Sequence, residues 1–290
     1  MKKVLCAAIA ASMLSSTALA QSDETTNYGA VWTGIGVSKS LPHNLSLDID
    51  AGYRTLDWLD HTNRFDAGVG LNYKISKYFK LGLSYTFIRR HYMEETEYKY
   101  KGDNDFSSYQ GLSIVDDDGL TRDYRGMNVD AANWASRHRV ALELTADKRF
   151  WKTLRVSLRE RHQYTYQYSR DINRTKYRDF TTDQNDNITS YDEITETTKT
   201  KDSWKRHLLR SRLKLSIDRK RWKWEPFTSF EIHNNMTDSW HFDKLRITAG
   251  AEYAITKQHR ITAAYVFTHE NDDDGNENIH AISIGYNFKF

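Results

Sequence analysis

Hydropathy in this chain alternates with a period of two over stretches of a dozen residues, again and again. In Arg64–Ile75 the odd positions are Phe65, Ala67, Val69, Leu71, Tyr73 and Ile75, and the even ones Arg64, Asp66, Gly68, Gly70, Asn72 and Lys74. After Ser76-Lys77-Tyr78 the pattern resumes with Phe79, Leu81, Leu83, Tyr85 and Phe87 against Lys80, Gly82, Ser84 and Thr86. Successive side chains of a strand point to opposite faces, so each stretch has one apolar and one polar face. Helical spacing is nearly absent. Eleven candidate strands follow, at 28–40, 45–57, 62–75, 79–95, 134–146, 152–168, 204–217, 223–233, 240–255, 260–270 and 278–290.

Most of these exceed the five or six residues usual in water-soluble sheets and reach the nine to eleven of a tilted membrane crossing. The connections alternate in kind. Tight turns at 41–44, 76–78, 147–151, 218–222 and 256–259 intersperse with longer or more polar links at 58–61, 96–133, 170–203, 234–239 and 271–277. Aromatic residues (18 Tyr, 12 Phe, 8 Trp) gather near strand ends, as at Tyr164, Tyr166, Tyr168, Trp151, Trp204, Trp222 and Trp240. Such rings favour a membrane–water interface. A secreted β-sandwich is the competing fold. It explains neither the strand lengths nor the asymmetric links, so the expected fold is all-β: a transmembrane antiparallel β-barrel of 10–12 strands with short periplasmic turns and long extracellular loops at 96–133 and 170–203.

The first segment fits that compartment. Lys2 and Lys3 precede an apolar run from Val4 to Leu14, and Ala18-Leu19-Ala20 precedes Gln21, the three-part pattern of a secretory signal peptide. Residues 1–20 are read as that signal and 21–290 as the barrel. Without Lys2 and Lys3 the chain has 40 basic and 39 acidic residues, which excludes a general nucleic-acid binder.

The final strand places Ile282, Ile284, Tyr286, Phe288 and Phe290 on one face. It resembles the terminal strand of bacterial outer-membrane barrels. That resemblance implies that Tyr286, Phe288 and Phe290 form the signal read by the barrel-assembly machinery. With Trp32 in the first strand, Arg210-Ser211-Arg212, Glu225-Pro226-Phe227 with Glu231, Leu245-Arg246-Ile247 and Gly250, the mature chain resembles an uncharacterised family of small outer-membrane barrels common in Bacteroidota. The family implies integral outer-membrane localisation and no transferable activity. An even number of crossings is the rule for single-chain barrels of this class. Eleven candidates therefore require Gln21–Tyr28 to climb along the barrel, 28–40 not to span, or a strand to be split or merged. Ten or twelve crossings are expected.

The face assignment puts sixteen basic residues inside: Arg54, Arg64, Lys74, Lys80, Arg90, Arg137, Arg139, Arg155, Arg159, Arg161, Arg206, Arg210, Arg212, Lys214, Lys244 and Arg246. Eight acids accompany them: Asp48, Asp50, Asp66, Glu143, Glu225, Glu231, Glu252 and Glu270. An open lumen of this kind would be a narrow anion-leaning diffusion channel. In a barrel this small, Arg and Glu side chains can instead fill the interior by bidentate pairing. The filled interior is the expected arrangement, with a structural, surface-binding or partner-docking role.

Outward-facing polar residues raise a third reading. Glu160 and His162 lie on one strand, and His207 and Ser211 on another across the link 170–203. A membrane-embedded acyl hydrolase would need such a serine, histidine and acid in contact. The ordinary reading is an interfacial belt meeting outer-membrane lipid and lipopolysaccharide, so no catalytic residue is assigned. Two oxygen-rich turns, with Asp116 and Asp118 and with Asp272 and Asp274, suit a structural calcium but lack EF-hand spacing. Hydrated hairpin tips explain them equally, and no other cofactor is implied. Loops 96–133 and 170–203 are the places for an outer-membrane protein partner.

Overall fold

A computed structural model describes residues 26–100, 112–115, 121–151, 153–219, 221–237, 239–272 and 275–290. Segment 1–20 and Asp116, Asp118 and Asp274 lie outside these. Eleven strands form a closed barrel: β1 (Thr26–Ser40), β2 (Leu45–Leu56), β3 (His61–Lys74), β4 (Phe79–Tyr92), β8 (Asn133–Phe150), β9 (Leu154–Gln167), β12 (Trp204–Ile217), β13 (Trp224–Asn235), β14 (His241–Ala254), β15 (His259–Asp272) and β16 (Gly275–Lys289). All neighbours are antiparallel except β1 and β16, which run parallel in register from Thr26↔Glu277 to Ser38↔Lys289.

This seam corrects the expected ten or twelve crossings. An odd number of strands can close only if one pair is parallel, and residues 28–40 do form a full barrel strand. β1 starts at the end of the barrel carrying the long connections, and β16 finishes at the short-turn end. Phe290 fastens the seam there, its N–H donating to Ser38 O (3.0 Å) and its carbonyl accepting from Ser40 N (3.2 Å).

The alternation is turned inside out relative to a water-soluble domain. Val69, Leu83, Leu142, Leu158, Phe230, Tyr265, Ile282 and Ile284 face outward and are exposed, whereas Gln163, Thr165, Gln167, Glu231, His233 and Thr268 are buried inside. The two walls of the interior differ in bulk. β1 to β4 present Gly34, Gly36, Gly52, Gly68, Gly70 and Gly82 inward, while β8, β9 and β12–β14 present Arg and Glu. Long side chains lean from the second wall onto the first: a Cβ on Gly82 would stand 2.7 Å from the Cγ of Glu143.

The long connections are themselves strands. β5 (Glu95–Tyr100), β6 (Leu112–Val115) and β7 (Thr121–Asp130) fall within 96–133 or at its edge, and β10 (Arg170–Thr182) and β11 (Ile188–Lys201) within 170–203. They form a five-stranded sheet in the order β11-β10-β7-β5, with β6 also on β7. The two insertions pair through Arg174↔Asp130 to Tyr177↔Met127. Gly126 adopts φ +134° in β7, where a side chain would collide with the carbonyl of Tyr177, so that position is restricted to glycine.

Candidate functional site: an ion-paired lumen beneath an outer sheet

The interior is ordered in layers. At the long-connection mouth, Arg137 Nε donates to Gln167 Oε1 (2.8 Å), and Tyr92 Oη donates to the same oxygen (3.0 Å). The Arg137 guanidinium lies 4.8 Å from the Trp204 ring centre and bonds Tyr92. Trp204, read from sequence as part of an interfacial girdle, is therefore a wall of the mouth. Arg170 stacks on Tyr92 from above, 4.5 Å from its centroid, and donates to Asn133. Cation–π pairing of this kind is strongest where water is excluded.

Below this, Glu231 on β13 is the knot. Its carboxylate is 4% exposed and accepts from Arg159 Nη2 (2.7 Å), Arg210 Nη2 (2.5 Å) and His233 Nε2 (2.8 Å), with Arg246 Nη1 at 3.9 Å. These donors come from β9, β12, β13 and β14, so one carboxylate ties four strands. Arg246 and Arg54 both lie over the ring of Trp32, at 5.1 and 4.2 Å from its centroid. Trp32 thus reaches across from the seam as an aromatic platform. A second acid, Glu143, accepts from Arg161 Nε and Nη2 (3.0 and 2.6 Å), with Arg159 at 3.8 Å. Buried charges are tolerable only when paired and hydrogen-bonded, as the carboxylates of Glu231 and Glu143 are.

Toward the short-turn end the pairs become wetter. Lys214 meets Glu252 at 2.9 Å, Arg260 stands 3.3 Å from Glu252 and 3.5 Å from Glu225, and Ser216 donates to Glu225 (2.8 Å). Arg155 pairs with Asp147 at 3.0 Å. Between them lies a cavity of about 220 Å³, lined by Lys80, Glu143, Asp147, Arg155, Arg159, Arg212, Lys214 and small hydroxyl residues.

Arg139 and Arg206 complete the inner lining, donating to Thr165 and Asp243 respectively. Asp243 escaped the sequence reading because its strand register shifts between His233 and Asn234. A bulge puts two consecutive residues, Asp243 and Lys244, on the inner side, which period-two counting cannot anticipate. His233 was missed for another reason: it ends a candidate strand, and a lone histidine carries no pattern.

The outward residues proposed for acyl transfer are close but differently paired. Ser211 Oγ donates to Glu160 (2.6 Å), and His207 Nδ1 faces His162 Nε2 at 3.4 Å. The serine is thus bonded to the acid. Among the described residues no cluster has metal-ligand geometry. Asp272 pairs with Gly275 at the β15–β16 tip.

Above the mouth, the outer sheet buries Tyr124, Asn128, Asp130, Ile172, Arg178 and Phe180. Asp130 receives Arg174 (2.5 Å), Lys201 (3.1 Å) and Lys199 (3.3 Å). Burial alone would raise its pKa, but the bonds from Arg174 and Lys201 and the charge of Lys199 outweigh this and hold it well below the usual carboxylate range. Tyr124 is pushed up by burial and by its bond to Tyr191 (2.8 Å). Tyr98, whose ring meets that of Tyr124 edge-on, and Ile194 are exposed on this sheet. Among the described residues β11 pairs only with β10, leaving one edge unpaired.

No curated protein matches the chain significantly. One family model matches it, over residues 29–279, which takes in nine barrel strands whole, most of β1, the start of β16, and the outer sheet. The chain belongs to that family, described as Protein of unknown function (DUF2490).

Proposed function

We propose that this is an integral outer-membrane barrel whose lumen is closed by its own ion-paired side chains, and which works by presenting the outer sheet to a protein partner. The single observation that carries this is the Glu231 knot: a carboxylate bonded by three side chains at 2.5–2.8 Å, beneath a second layer formed by Arg137, Gln167, Tyr92 and Trp204. A passage for solutes would need these groups solvated, and Glu231, His233 and Gln167 are buried.

The continuous outward band of Leu, Ile, Val and Phe supports placement in lipid. Exposed apolar patches beyond a few hundred Å² are rare on soluble monomers. The short-turn end then faces the periplasm and the sheet faces outside, where His, Tyr and Trp at the rim meet lipid and lipopolysaccharide. The outer sheet offers a partner two things: the exposed Tyr98 and Ile194, and the open edge of β11, to which a strand can be added through backbone hydrogen bonds.

Two measurements test the proposal. Purified protein in planar bilayers should give no stable conductance steps, and a photo-crosslinker at Ile194 in cells should capture a discrete membrane protein. Steady anion-selective conductance that disappears on neutralising Arg210 or Arg212 would refute the sealed lumen in favour of a channel.

A further inference from the structure

The cationic cavity of about 220 Å³ lies on the short-turn side of the Glu231 knot. It has five cations, Lys80, Arg155, Arg159, Arg212 and Lys214, against two carboxylates, Glu143 and Asp147. Three of the cations are already engaged: Arg155 with Asp147, Arg159 with Glu231, and Lys214 with Glu252. Glu143 is satisfied by Arg161. Lys80 and Arg212 have no acid within 4 Å among the described residues, and Arg212 Nε is buried without a hydrogen-bond acceptor. The two stand on β4 and β12, with β8 and β9 between them around the curved wall, and both line the same cavity. Ser157, Ser216 and Thr145 add hydroxyl groups around it.

The access route carries the same sign. A space of about 790 Å³ at one side of the short-turn mouth is lined by Lys74, Lys77, Lys80, Lys148, Arg149, Arg155 and Lys289, with Asp147 as the one acid in that lining and Asp218 pairing Arg149 beside it. A cleft lined by one sign of charge concentrates counter-ions within it. From these observations we infer that the lower lumen is a blind receptor for a phosphate-class dianion, free or as the terminal group of an ester, which enters from the short-turn side and is held between Lys80 and Arg212. Guanidinium and ammonium suit this division of labour, one giving directed planar donors and the other a point charge.

Asp147 gives the inference a second handle. Arg155 takes one of its oxygens, and the other, Oδ1, is buried with no donor. It repels an anion in the cavity, so neutralising it should tighten binding.

The test is equilibrium dialysis of the purified full chain in detergent against labelled inorganic phosphate and, separately, glycerol 3-phosphate, at constant ionic strength. Saturable binding to one site is expected. It should weaken about tenfold or more in Lys80→Gln and in Arg212→Gln, each of which removes a charge-assisted contact. Lys80→Arg should retain it, and Asp147→Asn should strengthen it. Whichever of the two probes binds tighter identifies the source, free ion or ester. Binding that does not saturate, or that is equal in the Gln variants and the parent, would overturn the inference. Because the readout is binding in micelles, it is independent of whether the barrel docks a partner.

Discussion

Replacing Glu231 with Gln keeps the shape of the knot and removes its charge. Two arginines that are only 11–12% exposed, Arg159 and Arg210, then lose their shared counter-ion, and Arg246 loses a nearby one. Breaking a buried pair by removing one partner costs about 3–5 kcal/mol, because the remaining charge stays desolvated. Glu225→Gln is the matched control. Its cationic partner, Arg260, is 48% exposed and 3.5 Å away, so solvent screens the pair and the expected loss is about 1 kcal/mol or less. The assay is urea unfolding of each variant in lipid vesicles, followed by tryptophan fluorescence and by the heat-dependent gel shift of folded barrels. A double variant, Glu231→Gln with Arg210→Gln, should recover part of the loss, since the orphaned guanidinium is gone. Residues in one network show coupling of about 0.5–3 kcal/mol. Equal midpoints for Glu231→Gln and Glu225→Gln, or strict additivity in the double variant, would refute the account of the knot as a buried, co-dependent pair.

The outer sheet should be acid-sensitive. Asp130 has its pKa depressed on folding, so its contribution is fully present above the unfolded value near 3.8 and is lost as pH falls through and below that value; limited proteolysis of β7 and β10 should accelerate there, and an unchanged pH profile in Asp130→Asn would count against this origin. Gly126→Ala should destabilise the same sheet by about 1–3 kcal/mol through strain at positive φ and a clash with the Tyr177 carbonyl, while leaving the barrel's gel shift intact. Phe290→Ala keeps both backbone bonds to the seam, whereas deleting Phe290 removes them; in vitro refolding should slow only for the deletion, and slowed assembly in cells for both would point to recognition of the ring itself.

How far the fold could be read from sequence depended on whether the two faces of a strand have different surroundings. Leu142 and Leu144 face outward, while Glu143 and Arg139 line the interior, so each barrel strand wrote a strong alternation. β11 has Thr and Glu on both faces, and the buried residues of β7 include Tyr124, Asn128 and Asp130, so hydropathy carries no period in either. Those segments therefore looked like loops. The parallel seam was invisible for a different reason: alternation reports that residues 28–40 form a strand but says nothing about its direction. The inner face was legible as a composition, many arginines and fewer acids. Which acid gathers which arginines was not, because Glu231 meets Arg159 only once residues 72 apart in sequence are brought together. Asp243 needed a bulge, and no composition signals one.

The seam has a consequence for biosynthesis. β1 finds its partner in the last strand to be made: Asn27 and Asn278, 251 residues apart, share a hydrogen bond across it. Contacts that distant cost the most chain entropy to form and come late in folding. Until β16 arrives, both β1 and β15 present a row of unsatisfied backbone donors and acceptors to whatever lies alongside. A parallel ladder is also slightly weaker per residue than its antiparallel neighbours. The last join to form is thus the one expected to open first, and a ribbon pulled apart by force or heat should part between Trp32 and Ser283 before any hairpin separates.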